Sequence, residues 1–249
     1  MILFTGDSFT WGQGLEWDYL LNLPNWTVDD INKLIPPNYP CEQLPLECND
    51  YRQKNHWPRK VAEYFNYGYD LFRQGNGGSN FDSYKAIEDL DHRIYSENVK
   101  LIVVQFTCSS RNPQNTFEES ITGDLFKDDI LEFKRVITPV INNFPWIKVV
   151  TLSWLPEMAI LAEKYFGEEY VVKHPEWDNE CGFEKWSTKH NLSQNYPGLM
   201  DNHFNQYAHN TVAQTVIDHI EKYNLLEVNK FNNTPTLVSS NDYLKSLER

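Results

Sequence analysis

Leu101-Ile102-Val103-Val104-Gln105-Phe106 is an apolar, β-branched run interrupted by a single polar residue. Such a run predicts a strand buried on both faces, the kind found in the middle of a parallel sheet. Shorter strand-like segments at 2–5, 69–73, 146–152 and 170–172 are separated by stretches with helical spacing. The segment 57–65 opens with Pro58 in a helix-start position, and 128–142 sets Ile130, Phe133, Ile137 and Ile141 on one face. A further helix is predicted over 156–166. The last runs over about 206–223, where Ala208, Val212, Val216 and Ile220 recur at four-residue steps behind Asn205, a good N-cap. Strand, helix and strand in repeated alternation predict an α/β domain whose parallel sheet is covered by helices.

With 249 residues the chain can bury a sizeable core as one domain, read here as 1–228. Two segments break the rhythm. Residues 16–56 contain Pro24, Pro36, Pro37, Pro40 and Pro45 and read as a loop-rich insertion, and 174–200 reads as a second irregular insertion. Residues 229–249 form a polar C-terminal tail.

The formal net charge of -13 disfavours nucleic acid or an anionic membrane as partner, since both are bound through clustered Lys and Arg. No run approaches the roughly 18 apolar residues of a spanning helix, and no cationic leader precedes the first strand. The expectation is a soluble chain without an N-terminal export signal. Cys41, Cys48, Cys108 and Cys181 show no C-x-x-C spacing, so no metal site is expected and the thiols are read as reduced. In an oxidising compartment Cys41 and Cys48 would close a short loop.

Three groups of residues carry possible chemistry. Gly6-Asp7-Ser8-Phe9 follows the first strand, where an open α/β sheet places its ligand crevice, although Ser8 can equally cap a following helix. Asp201-Asn202-His203 sets a carboxylate and an imidazole two residues apart, on one side of an extended segment. A serine hydroxyl needs a base to take its proton and a third group to orient that base, and Ser8, His203 and Asp201 supply these types. The glycine-rich turn Gly75-Asn76-Gly77-Gly78-Ser79-Asn80 can present backbone N–H groups to a developing oxyanion, or serve only as a tight strand-to-helix turn. It lacks the spacing of a phosphate loop, which argues against a nucleotide-binding protein. His209, inside the last predicted helix, is read as a packing residue.

Taken in order, these blocks resemble the SGNH (GDSL-type) hydrolase family. Gly6-Asp7-Ser8 matches its first block and Gly78 its second; Ser109 stands where the third block has asparagine, and Asp201-x-His203 shortens the fourth by one residue. The opening Gly-Asp-Ser-Phe-Thr-Trp-Gly and the Gln-Phe-Thr variant of the third block are similar to divergent SGNH-like proteins of tailed bacteriophages. The resemblance implies a three-layer α/β/α sandwich with a flavodoxin-like sheet of order 2-1-3-4-5. It implies a cofactor-free serine esterase removing acetyl or another short acyl group from a glycan or similar polar ester. Ser8 is then the nucleophile, His203 the base and Asp201 its orienting group. Gly78, Asn80, Ser109 and Arg111 belong to the oxyanion and substrate contacts. The missing asparagine leaves an alternative, a scaffold without turnover that serves as a binding or structural module of a virion. The compartment is accordingly the cytoplasm or a virion.

Overall fold

The apolar runs pair side by side in a parallel sheet. The computed structural model describes residues 1–7, 10, 12, 14–34, 44–72, 80–90, 98–107, 123–177, 186 and 203–229. In chain order the elements are β1 (Ile2–Thr5), α1 (Leu15–Leu21), α2 (Val28–Leu34), α3 (Leu46–Asn55), α4 (Trp57–Phe65), β2 (Tyr69–Phe72), α5 (Asn80–Glu88) and β3 (Leu101–Phe106). There follow α6 (Gly123–Asn143), β4 (Lys148–Ser153), α7 (Pro156–Phe166), a 3₁₀ turn (Glu168–Tyr170) and α8 (Gln206–Lys222).

The strands are hydrogen-bonded in the order β2-β1-β3-β4, all parallel, with Ile2 opposite both Tyr69 and Leu101 and Leu101 opposite Lys148. The expected fifth position is reduced to one parallel bridge, Val171 to Thr151. The reason is local: the Val171 N–H turns back to the Glu168 carbonyl at 3.1 Å, so only Val172 donates to Thr151, at 2.8 Å.

Alternate residues of each strand enter two separate cores, as the pleat requires. Ile2, Phe4, Leu101, Val103, Val150 and Leu152 pack against Val61 and Phe65 of α4 and Val212, Val216 and Ile220 of α8. Leu3, Ile102, Val104, Phe106 and Val149 pack on the opposite face, against Ile87 of α5, Ile130 and Phe133 of α6 and Met158 of α7. Helices on both faces of a parallel sheet make the chain an α/β protein of three layers.

Helix ends follow their sequence signals. Pro58 lies in the first turn of α4, and Asn66, at φ 58°, closes it in the left-handed region. Pro156 opens α7. Asn205 caps α8, its side-chain oxygen accepting the Ala208 N–H at 3.0 Å.

The first insertion is helical where loops were expected. Helices α1, α2 and α3 enclose a small core of Trp17, Leu20, Ile31, Leu44 and Cys48. Pro24 falls between α1 and α2 and Pro45 at the N-cap of α3, so these prolines bound helices without interrupting them. A buried ion pair, Arg52 Nη1 to Glu16 Oε1 at 2.8 Å, fastens α3 to α1. Cys48 is a free, buried thiol, its pKa pushed up to about 11 by desolvation and then by the neighbouring Glu16 and Glu47 charges. The second insertion contributes Trp177 and Trp186 to the core on the α4–α8 side. Among the described residues no helix is long and apolar enough to cross a membrane.

Candidate active site

The carboxyl ends of β1 and β3 are joined by one buried amide. Gln105 donates through Nε2 to Asp7 Oδ1 at 2.7 Å and accepts the Thr10 hydroxyl through Oε1. Asp7, Thr10 and Gln105 are all buried, so these bonds form away from competing water. Gly6 permits this approach: a Cβ there would stand 2.8 Å from Gln105 Cβ and closer still to the Thr10 hydroxyl. The Gly-Asp-Ser block therefore has its glycine and aspartate fixed against the central strand. Ser8 lies outside the described residues, between Asp7 and Thr10, the two positions that Gln105 holds.

A second buried amide braces the neighbouring exit. Asn80, the first residue of α5, accepts the Thr107 N–H at 2.8 Å and donates to the Thr107 carbonyl and to Asp129 Oδ2, both at 3.0 Å. The paired bonds to one residue imitate a strand partner and tie the start of α5 to the end of β3. Asn80, expected among the oxyanion and substrate contacts, thus has its side chain engaged by Thr107 and Asp129. Gly78, two residues before it, and Ser109 and Arg111, just beyond Thr107, lie outside the described residues.

His203 is partly buried and immediately precedes Phe204, which is buried. Phe204 lies against Trp154, with ring centroids 5.6 Å apart, and the Trp154 N–H donates to the Phe106 carbonyl at 3.3 Å. Asp7 just after β1, Gln105 and Phe106 on β3, Trp154 after β4 and Phe204 before α8 therefore form one continuous set at the carboxyl edge of the sheet. Asp201 lies outside the described residues.

The first turn of α8 also reaches the insertion. The Gln206 N–H donates to Asp18 Oδ2 at 3.2 Å, and Gln206 Nε2 donates to the Asn55 carbonyl at 3.1 Å. Asp18 is pushed up to about 6 by burial, against the lowering effect of the Gln206 N–H and with a raising contribution from Glu16.

His209 and His56, among the described histidines, serve packing. His209 is fully buried with Nδ1 accepting the Trp57 N–H at 3.4 Å, and burial holds it well below the ordinary imidazole value. His56 Nε2 lies 2.9 Å from the Tyr69 hydroxyl, whose pKa is raised by desolvation. Among the described residues no three His, Cys, Asp or Glu side chains are arranged to hold a metal ion. Sequence reasoning missed Gln105, Asp129 and Asp18. Only Gln105 left a signal, a polar residue inside an apolar strand.

No protein-family model matches the chain, and no curated protein matches it. Solved structures with a similar course include an acetyl xylan esterase from the rumen bacterium Butyrivibrio proteoclasticus, 11% identical with a TM-score of 0.49 over 90% of this chain. Another is a carbohydrate esterase whose active site displays divergent catalytic and non-catalytic binding functions, 13% identical with a TM-score of 0.44 over 89% of this chain. The chain spans 64% of the length of each.

Proposed function

We propose that the chain is a serine ester hydrolase acting on short acyl esters, acetyl foremost, of a glycan or similar polar alcohol. Ser8 attacks the acyl carbonyl while His203 takes its proton, and Asp201 orients the imidazole. The backbone N–H groups of Ser8 and Gly78 receive the oxyanion, with Ser109 and Arg111 beside them. His203 then protonates the leaving alcohol, and water resolves the acyl-enzyme by the same route.

The observation that carries this reading is the Gln105 bracket. It holds Asp7 and Thr10 on either side of Ser8, at the sheet edge where the residue following His203 also packs. Preorganisation of this kind is what a nucleophile on a loop requires. A second reading, a binding module without turnover, is favoured by Ser109 in place of the family's asparagine; losing one oxyanion donor costs about 2.7–4 kcal/mol of transition-state stabilisation.

One experiment separates the two. Wild type and Ser8→Ala are treated with a serine-reactive fluorophosphonate and weighed intact. A single adduct on wild type, absent from the variant, is the expected result. A folded wild type that takes no adduct removes the esterase reading in favour of the binding module.

A further inference from the structure

In the α/β layers described above, α8 packs along the sheet through its apolar face, whereas its first turn is held by polar bonds to the insertion. Gln206 is the first residue of α8, three residues beyond His203. Its backbone N–H is one of the donors that a helix start leaves without an intrahelical partner, and Asp18 of α1 accepts it from a position 188 residues earlier. A carboxylate at a helix N-terminus is favoured by the helix dipole as well as by the bond itself. Asn55, the last residue of α3, takes the Gln206 side chain from a second direction. The turn is thus bolted at two points to α1 and α3, which are locked together by Arg52 and Glu16.

We propose that Asp18 is a positioning residue for His203: its carboxylate anchors the first turn of α8, so the insertion sets where the histidine stands. The role attached to His203 rests on the esterase reading above. The anchor has a second property that a purely structural bond would lack. Burial disfavours the ionised carboxylate, yet the ionised form is the better acceptor for the Gln206 N–H. The titratable groups around it are Glu16 on the same helix, paired with Arg52, and Tyr51 on α3, whose pKa is raised by burial and then by the Asp18 charge. On the α8 side the titratable groups nearest in sequence are Tyr207, His203 and His209. A carboxylate kept in a place that disfavours its charge, bonded three residues beyond a candidate base, has the character of a functional residue.

The test compares wild type, Asp18→Asn and Asp18→Ala by amide hydrogen exchange at residues 204–208 and by the rate of fluorophosphonate addition, from about pH 5 to about pH 8. In wild type, protection of the Gln206 amide falls as pH rises through about 6, because burial penalises the docked carboxylate once it ionises. In Asp18→Asn, which keeps an acceptor without a charge, protection is intermediate and flat with pH. In Asp18→Ala it is low throughout, and fluorophosphonate addition is slowed about 10- to 100-fold, as expected for a displaced base. Gln206 protection and addition rates that are the same in all three proteins overturn the proposal. If folded wild type takes no adduct, the esterase reading fails by itself. The anchor is then decided by exchange alone: pH-dependent protection in wild type that flattens in Asp18→Asn upholds it, and identical profiles overturn it.

Discussion

Gln105 spends both ends of its amide on the β1 exit, donating to Asp7 and accepting from Thr10. Its position on β3 follows from the pleat, since residues 101 and 103 point to the same side and enter the core shared with α4 and α8. A leucine there would have the right volume for that core and no polar atom. Gln105→Leu is therefore expected to fold but to lose about 1–3 kcal/mol, the usual cost of removing a donor from a buried polar group. Urea unfolding measures the loss. The same variant should react more slowly with a fluorophosphonate, because the residues flanking Ser8 are released. Lowered stability with an unchanged reaction rate would reduce Gln105 to a structural role.

At the scale of the element, α8 carries groups whose burial makes its docking depend on pH. His209 and His219 are both held below the ordinary imidazole value, chiefly by desolvation. In the unfolded chain each takes a proton below about pH 6.5, while the folded chain resists it. Their contribution to stability is thus present above about pH 6.5 and is lost as pH falls toward their depressed folded values. Asp18 has the opposite sign. Its folded pKa of about 6 lies above the ordinary aspartate value of 3.8, so its contribution is complete below about pH 4 and lost as pH rises through about 6. His209→Gln offers an oxygen to the Trp57 N–H but takes no proton. Its urea midpoint should therefore fall less steeply than that of wild type between about pH 7 and about pH 5. Parallel profiles would show that His209 is not a source of the acid sensitivity. Much of α8 was readable in the sequence because Asn205 and the four-step apolar pattern are local signals. Helix α3 was not, since only Cys48 and Arg52 of its ten residues are buried and no apolar stripe marks it. Nor was Asp18, whose partner lies 188 residues away and is a backbone N–H, which no side-chain pattern announces.

Across the molecule, two cores sandwich the sheet and a third fills the insertion. The third is small, yet α3 runs into α4 across His56, and Gln206 bonds to both α1 and α3. Shared elements of this kind should make residues 1–228 unfold as one unit. Trp17 reports on the insertion and Trp57 and Trp177 on the main core, while far-UV circular dichroism reports on the whole. Coincident urea midpoints by the two signals are expected, and an early fluorescence transition would instead identify the insertion as a separately melting unit. The strand order has a temporal consequence. β1 lies between β2 and β3, and Ile2 pairs with Leu101, so one of the strand's two neighbours is made about a hundred residues after it. At about 5–20 residues per second, a ribosome would leave that apolar strand without its second neighbour for roughly 5–20 s. During synthesis one of the two inner strands is thus the one that must wait, and the nascent chain during that interval is a natural client for a chaperone.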